Sequence, residues 1–164
     1  MTKGFSTRLC AVAVLACAGL SAGAAQAATA SAANRAKILT QVTLVNTSDL
    51  QFGTIVAAAS PSVVDVSTGG VRTCGAGLAC LGATTAAYFL IGGTTGQVTT
   101  VSVPPMVVLT SGSDTMTALL NPSAALVTLV ANSGSFSVGG TLIVGGGQAD
   151  GDYSGTFNAT VDYQ

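Results

Sequence analysis

The chain has 164 residues, room for one domain, and 49% of them are hydrophobic, 5% aromatic and only 7% charged. Five Lys and Arg against six Asp leave no clustered basic surface, which excludes a nucleic-acid footprint. His and Glu are both absent, which removes the commonest general base, the commonest neutral metal ligand and one of the two carboxylates of acid–base work.

The first segment has the grammar of an export signal. Lys3 and Arg8 precede an apolar run, Leu9 to Leu20, and a small-residue stretch ending Ala25-Gln26-Ala27. The run is shorter than the roughly 20 residues that span a bilayer, so no transmembrane span is expected. Cleavage after Ala27 removes residues 1–27, and lipidation at Cys17 is the alternative; Cys10 is lost either way. Arg35, Lys37 and Arg72 then stand against six aspartates, a net charge of −3. Export also puts the remaining chain in an oxidising compartment.

Residues 28–37 are small and polar and cannot bury enough surface to offset ordering entropy. Apolar residues begin at Ile38. In ILTQVTLV, Ile38, Thr40, Val42 and Leu44 share one parity, while Leu39 and Val45 fall on the other. Two readings stay open: an ordinary first strand with a frayed leader, or a strand that leaves its own domain and pairs elsewhere. The domain organisation expected is therefore a signal (1–27), an N-terminal extension that serves as a possible donor strand (28–45), and a body (46–164).

Leu50 and Phe52 share a face, and Gly53 permits a bend. Strands are expected at Val63–Ser67, Tyr88–Ile91, Val98–Val103, Met106–Thr110, Met116–Leu120, Leu126–Val130 and Phe136–Val144. Turn residues separate them: Gly69-Gly70, Gly92-Gly93, Pro104-Pro105, Ser111–Asp114, Asn121-Pro122, Asn132–Gly134 and Gly145–Gly147. Short strands at this spacing predict an all-β antiparallel sandwich or barrel, and a chain poor in bulky side chains fits thin sheets packed face to face.

Chemistry is scarce. Cys74 and Cys80 are the only cysteines after the signal, and an oxidising compartment makes them a disulfide. A metal there would need two further ligands, and no His is present to supply them. No serine has a plausible base, so no catalytic residue is expected. Nothing calls for a cofactor. The run GGGQADGD from Gly145 to Asp152 reads as a flexible loop entering the last strand.

The last stretch is the most regular. Tyr153, Gly155, Phe157, Ala159, Val161 and Tyr163 alternate with Ser154, Thr156, Asn158, Thr160 and Asp162, which predicts one strand with a buried and a wet face. Tyr163 is penultimate and Gly151 stands fourteenth from the end. This resembles the C-terminal signature of pilin subunits of the chaperone–usher pathway. LQFGTIV at 50–56, VGGTLIV at 138–144 and GDYSGTFNATVDYQ at 151–164 resemble the bacterial secreted family called domain of unknown function 4402, related to fimbrial and spore-coat-U-like sandwiches.

The resemblance implies an immunoglobulin-like sandwich that lacks one strand and is completed by donor-strand exchange. Gly151, Tyr153, Phe157, Ala159, Val161 and Tyr163 would then form the pairing strand, engaged first by a periplasmic chaperone at the outer-membrane usher. The extension of an identical or related subunit replaces the chaperone, with Ile38, Thr40, Val42 and Leu44 as donor residues. The expected function is a non-enzymatic structural subunit of a cell-surface fimbria. The alternative is a secreted monomeric adhesin-like or envelope module whose first strand folds back into its own sheet.

Overall fold

The computed structural model describes residues 27–164. The expected signal, apart from Ala27, lies outside them, as do Cys10 and Cys17. Residues 27–36 are exposed and carry no regular secondary structure. The unit from Lys37 to Gln164 contains twelve strands: β1 (Thr43–Ser48), β2 (Thr54–Val56), β3 (Ser62–Val66), β4 (Arg72–Cys74), β5 (Ala79–Leu81), β6 (Ala87–Gly92), β7 (Val98–Ser102), β8 (Met106–Ser111), β9 (Asp114–Pro122), β10 (Leu126–Thr128), β11 (Ser133–Val144) and β12 (Thr160–Tyr163). Among the described residues no helix is long and apolar enough to cross a membrane.

β11 organises the larger sheet. Ser133–Val138 pairs antiparallel with β6, whose other edge carries β1. Gly140–Val144 pairs with β3, which carries β4. On the opposite side Val138–Ile143 pairs with β9, and β9 with β8. Val138 stands opposite both Ala87 and Pro122, so β6 yields to β3 along one edge of β11 while β9 holds the other. The exchange falls at Gly139-Gly140. A Cβ on Gly139 would run into the backbone of Val66, Ser67 and Thr68, so only a glycine lets the end of β3 come this close.

β10, β7 and β12 form the facing sheet. Ala87, Phe89 and Ile91 of β6, Leu120 of β9 and Phe136 and Val138 of β11 pack with Val101, Leu129 and Val161 into the main core. Phe89 and Phe136, partners in register, stack with centroids 5.0 Å apart. A second core joins Phe52, Val64, Val66, Ala118, Leu142 and Val144 under a two-stranded flap, β2 paired with β5. The architecture is the expected all-β antiparallel sandwich.

Several details depart from the expectation. The first strand begins at Thr43, not Ile38. β4 and β5 flank the Cys74–Cys80 loop, where no strands were expected. Tyr88–Ile91 is central in hydrogen bonding, yet Tyr88 and Leu90 are each 41% exposed, because no layer among the described residues covers the outer face of the larger sheet.

The terminal strand is the main correction. Thr160–Tyr163 pairs with Ser102–Thr99 of β7, and Ser154 bridges Thr110 at the end of β8, but residues 155–159 join no ladder. Those two pairings bracket Pro104-Pro105 on the opposing chain, where neither residue has an N–H to donate. The alternation survives the loss of the ladder. Tyr153, Phe157, Ala159, Val161 and Tyr163 are buried or half-buried, while Ser154, Thr156, Asn158, Thr160 and Asp162 are exposed. Gly155 is exposed on the inward parity, and a Cβ there would strike the backbone of Val108.

Candidate functional site

Two stretches of chain pass between the sheets. Residues 49–53 connect β1 in the larger sheet to β2 in the flap, and residues 155–159 connect the edge of β8 to β12. A groove opens between them. Its larger part has a volume of about 990 Å³ and is walled by residues 50–57 on one side and 148–153 on the other. Leu109, Met116, Leu142 and Val144 form its apolar floor. A smaller part of about 380 Å³ continues along Tyr153–Phe157, opposite Asn46 and Asp49–Gln51. Leu50, Gln51, Leu109 and Tyr153 line both parts.

Part of each wall is backbone with an unused edge. β2 pairs only with β5, and residues 155–157 have no ladder partner among the described residues. The carboxylates on the walls are Asp49, Asp150 and Asp152, and no Lys or Arg lines either part. Such a slot suits an extended peptide: backbone groups on both sides, apolar side chains below, an acidic rim.

The flap side of the groove is braced to the larger sheet at β4. Cys74 and Cys80 form the expected disulfide, with Cα atoms 6.2 Å apart. Arg72 Nη1 donates to Phe52 O at 3.0 Å and to Leu81 O at 2.9 Å. Gly53, at φ +75°, makes this possible, since a Cβ there would occupy the guanidinium's place. The LQFG run therefore puts Phe52 in the second core, lets Leu50 touch both cores, and clears a seat for Arg72. On the other wall the Tyr153 hydroxyl donates to Ala149 O at 2.9 Å and accepts from Gln148 Nε2 at 2.8 Å.

The remaining pairing-strand residues face the main core. Phe157 meets Phe89 edge-on at 6.2 Å, Ala159 packs against the same cluster and Val161 is buried in it. Gly151 lies against Ser111. Tyr163 is half-buried, and its hydroxyl is taken up by the chain itself: it accepts from Thr94 N–H at 2.8 Å and donates to Thr40 O at 2.7 Å. The donor residues do not form one free row. Ile38 is 93% exposed, Thr40 is held by Thr94 and Tyr163, and Val42 and Leu44 pack on the chain's own main core.

Residues 42–163 match the family model described as Domain of unknown function (DUF4402). The chain belongs to that family. Neither a curated protein nor a solved structure matches it. The three DUF4402-like segments fall on the features just described: LQFGTIV on the flap wall, VGGTLIV at the exchange of strands on β11, and the last fourteen residues along the opposite wall as far as Phe157 and then over the main core. Arg72 and the groove floor at Leu109, Met116 and Leu142 escaped sequence reasoning, because nothing local marks a residue that acts across the sandwich. The one available signal for Arg72 was its isolation, as the only cation after Lys37.

Proposed function

We propose that this chain is a non-catalytic structural subunit that receives an extended strand in the groove beside its C-terminal segment, and that copies joined in this way build a fibre on the cell surface. One observation carries the reading: β2, which pairs only with β5, and residues 155–157, which join no ladder, lie along a groove with an apolar floor within a two-layer sandwich. A strand laid there would gain main-chain hydrogen bonds on its edges and side-chain pockets below, and would cover an edge that otherwise invites indiscriminate pairing. The occupant is the N-terminal extension of a second copy. Its Arg35 and Lys37 complement Asp49, Asp150 and Asp152 on the rim. A head-to-tail contact of this kind does not close on itself and propagates. Before assembly, a periplasmic chaperone fills the groove and an outer-membrane usher receives the subunit.

A second reading has its own support. Thr43–Ser48 pairs with β6 of the same chain, and Leu44 sits in that chain's core, as a self-contained secreted module requires. The two readings separate by deleting residues 28–36 from the exported chain, which spares the unit from Lys37 onward. Under strand donation the intact chain forms multimers resistant to sodium dodecyl sulfate and the deleted chain stays monomeric. Monomers from both chains at high concentration establish the self-contained module, and multimers from both refute the extension as donor.

A further inference from the structure

The most elaborate polar construction in the chain lies at the far end of the C-terminal segment from the groove, and it is built around a tyrosine. The turn joining β6 to β7 is shaped by Asn132, whose Oδ1 accepts from Thr95 N–H at 3.2 Å and from Thr95 Oγ1 at 2.8 Å. Asn132 N–H donates back to Thr95 Oγ1 at 2.7 Å, and Gly93 N–H reaches Asn132 O at 3.1 Å. The turn so fixed offers two groups at one residue. Thr94 N–H donates to the Tyr163 hydroxyl, and Thr94 Oγ1 accepts from Thr40 N–H at 2.8 Å. The Tyr163 hydroxyl itself donates a hydrogen bond to Thr40 O. Both backbone groups of Thr40 are therefore held. Lys37 Nζ adds a further tie to Gln97 Oε1 at 3.0 Å. Gly93 completes the seat, because a Cβ there would collide with the Tyr163 hydroxyl and with Leu129 Cδ1.

We propose that the Tyr163 hydroxyl, seated over Gly93, is a clasp that ties Lys37–Thr40 to the end of the C-terminal strand and withholds Ile38 and Leu39 from the free N-terminal extension. With the clasp shut, the extension ahead of Lys37 offers only alanines as apolar side chains. With it open, Ile38 and Leu39 join them, and the extension gains its first bulky apolar pair. Residues 37–40 and 163 are joined across 123 positions of sequence, so the state of the last strand sets the reach of the first segment. The consequence for strand donation rests on the reading above, whereas the clasp itself does not.

The composition supplies a clean probe. Lys37 is the only lysine after Lys3, so a lysine-specific endoprotease cuts the exported chain once. Cutting at Lys37–Ile38 requires the residues beyond the bond to enter the protease cleft, and Thr40 must leave the clasp to do so. Tyr163→Phe removes the hydroxyl, and Thr94→Ala removes the acceptor for Thr40 N–H. Each should speed this cleavage about five-fold or more, the change in an opening equilibrium for one net hydrogen bond. Thr94→Ser keeps the acceptor and should cut at the original rate. An arginine-specific protease acting at Arg72 within β4 reports the integrity of the body, and its rate should not move.

A Tyr163→Phe chain cut at Lys37 no faster than the original overturns the clasp, and so do Thr94→Ala and Thr94→Ser chains cut alike. If Tyr163→Phe also exposes Arg72, Thr94→Ala decides: acceleration at Lys37 alone upholds the clasp, and any other result overturns it. Detergent-resistant multimers that form faster from Tyr163→Phe uphold the gating of donation, and an unchanged rate overturns it. An absence of multimers from every chain refutes strand donation and leaves the protease result standing.

Discussion

Replacing Arg72 by Met tests whether the flap wall of the groove is held from outside itself. The substitution keeps the aliphatic stem and removes the guanidinium. Arg72 Nη1 is the shared donor for Phe52 O and Leu81 O, one carbonyl just ahead of β2 and one at the end of β5. A hydrogen bond from a charged donor contributes about 1.5–3 kcal/mol net, and these two sit partly open to solvent, so the pair should contribute about 2 kcal/mol in all. Apart from the Cys74–Cys80 bridge, a flap of two three-residue strands has little else beyond Phe52, Ile55, Leu78 and Cys80 resting on the second core. With a urea slope of about 1–3 kcal/mol per molar, the midpoint should fall by about 1 M.

The loss should also be local. Backbone amides of Thr54–Val56 and Ala79–Leu81 should exchange faster in Arg72→Met than the global change accounts for, while those of the β6–β11 ladder should follow the global change alone. Hydrogen exchange read by mass spectrometry on peptides covering 50–57, 78–82 and 133–144 makes the comparison directly. An Arg72→Met chain with an unmoved urea midpoint and unmoved exchange in 50–57 refutes the idea that Arg72 braces the wall.

Reducing the Cys74–Cys80 bridge should lower stability by about 2 kcal/mol on the chain-entropy relation for so short a loop, read as a urea midpoint with and without reductant. Because the bridge and Arg72 both tether β4 to the flap, reduction of the Arg72→Met chain should cost less than the sum of the two single changes; strict additivity would show that they brace different elements. Gly139→Ala should destabilise by about 1–3 kcal/mol in thermal unfolding, the usual range for overpacking. Strand propensity alone predicts the opposite sign, so a raised melting temperature would refute the close approach of β3 to β11.

Much of the fold was legible because side-chain alternation and turn residues act locally. Leu119 and Leu120 of β9 show the limit: each is apolar, yet one is exposed and the other buried, and only the register against β11 says which. The disulfide was legible from compartment and spacing. The inward face of the last segment was legible from parity, but its ladder was not, since the prolines that interrupt it sit about fifty positions away at Pro104-Pro105. Tyr163 shows the reverse limit. As the end of an apolar row it reads as a side chain for a partner to cover, whereas its hydroxyl is engaged by Thr94 and Thr40 of the same chain.

The groove and the clasp follow from one property of the topology. A two-layer sandwich has edges, and this chain covers them by letting two segments cross from one sheet to the other. Leu50–Gly53 crosses on one side with a bend at Gly53. The C-terminal segment crosses on the other, where Pro104-Pro105 denies it partners. A crossing segment cannot be laddered along its whole length, because the strand it leaves and the strand it joins lie in different layers. Two such crossings, side by side, leave a slot floored by the core of the larger sheet, and its polar requirements fall on the backbone of the walls. The same two chains converge again beyond the crossings, where β1 and β12 form adjacent sheet edges and Thr40 meets Tyr163. An extended segment entering the slot would therefore lie against residues 49–57 and 148–157, the stretches that run on into β1 and β12, whose far ends the clasp joins, which is why binding at one end of the C-terminal segment and freedom of the leader at the other are expected to be coupled.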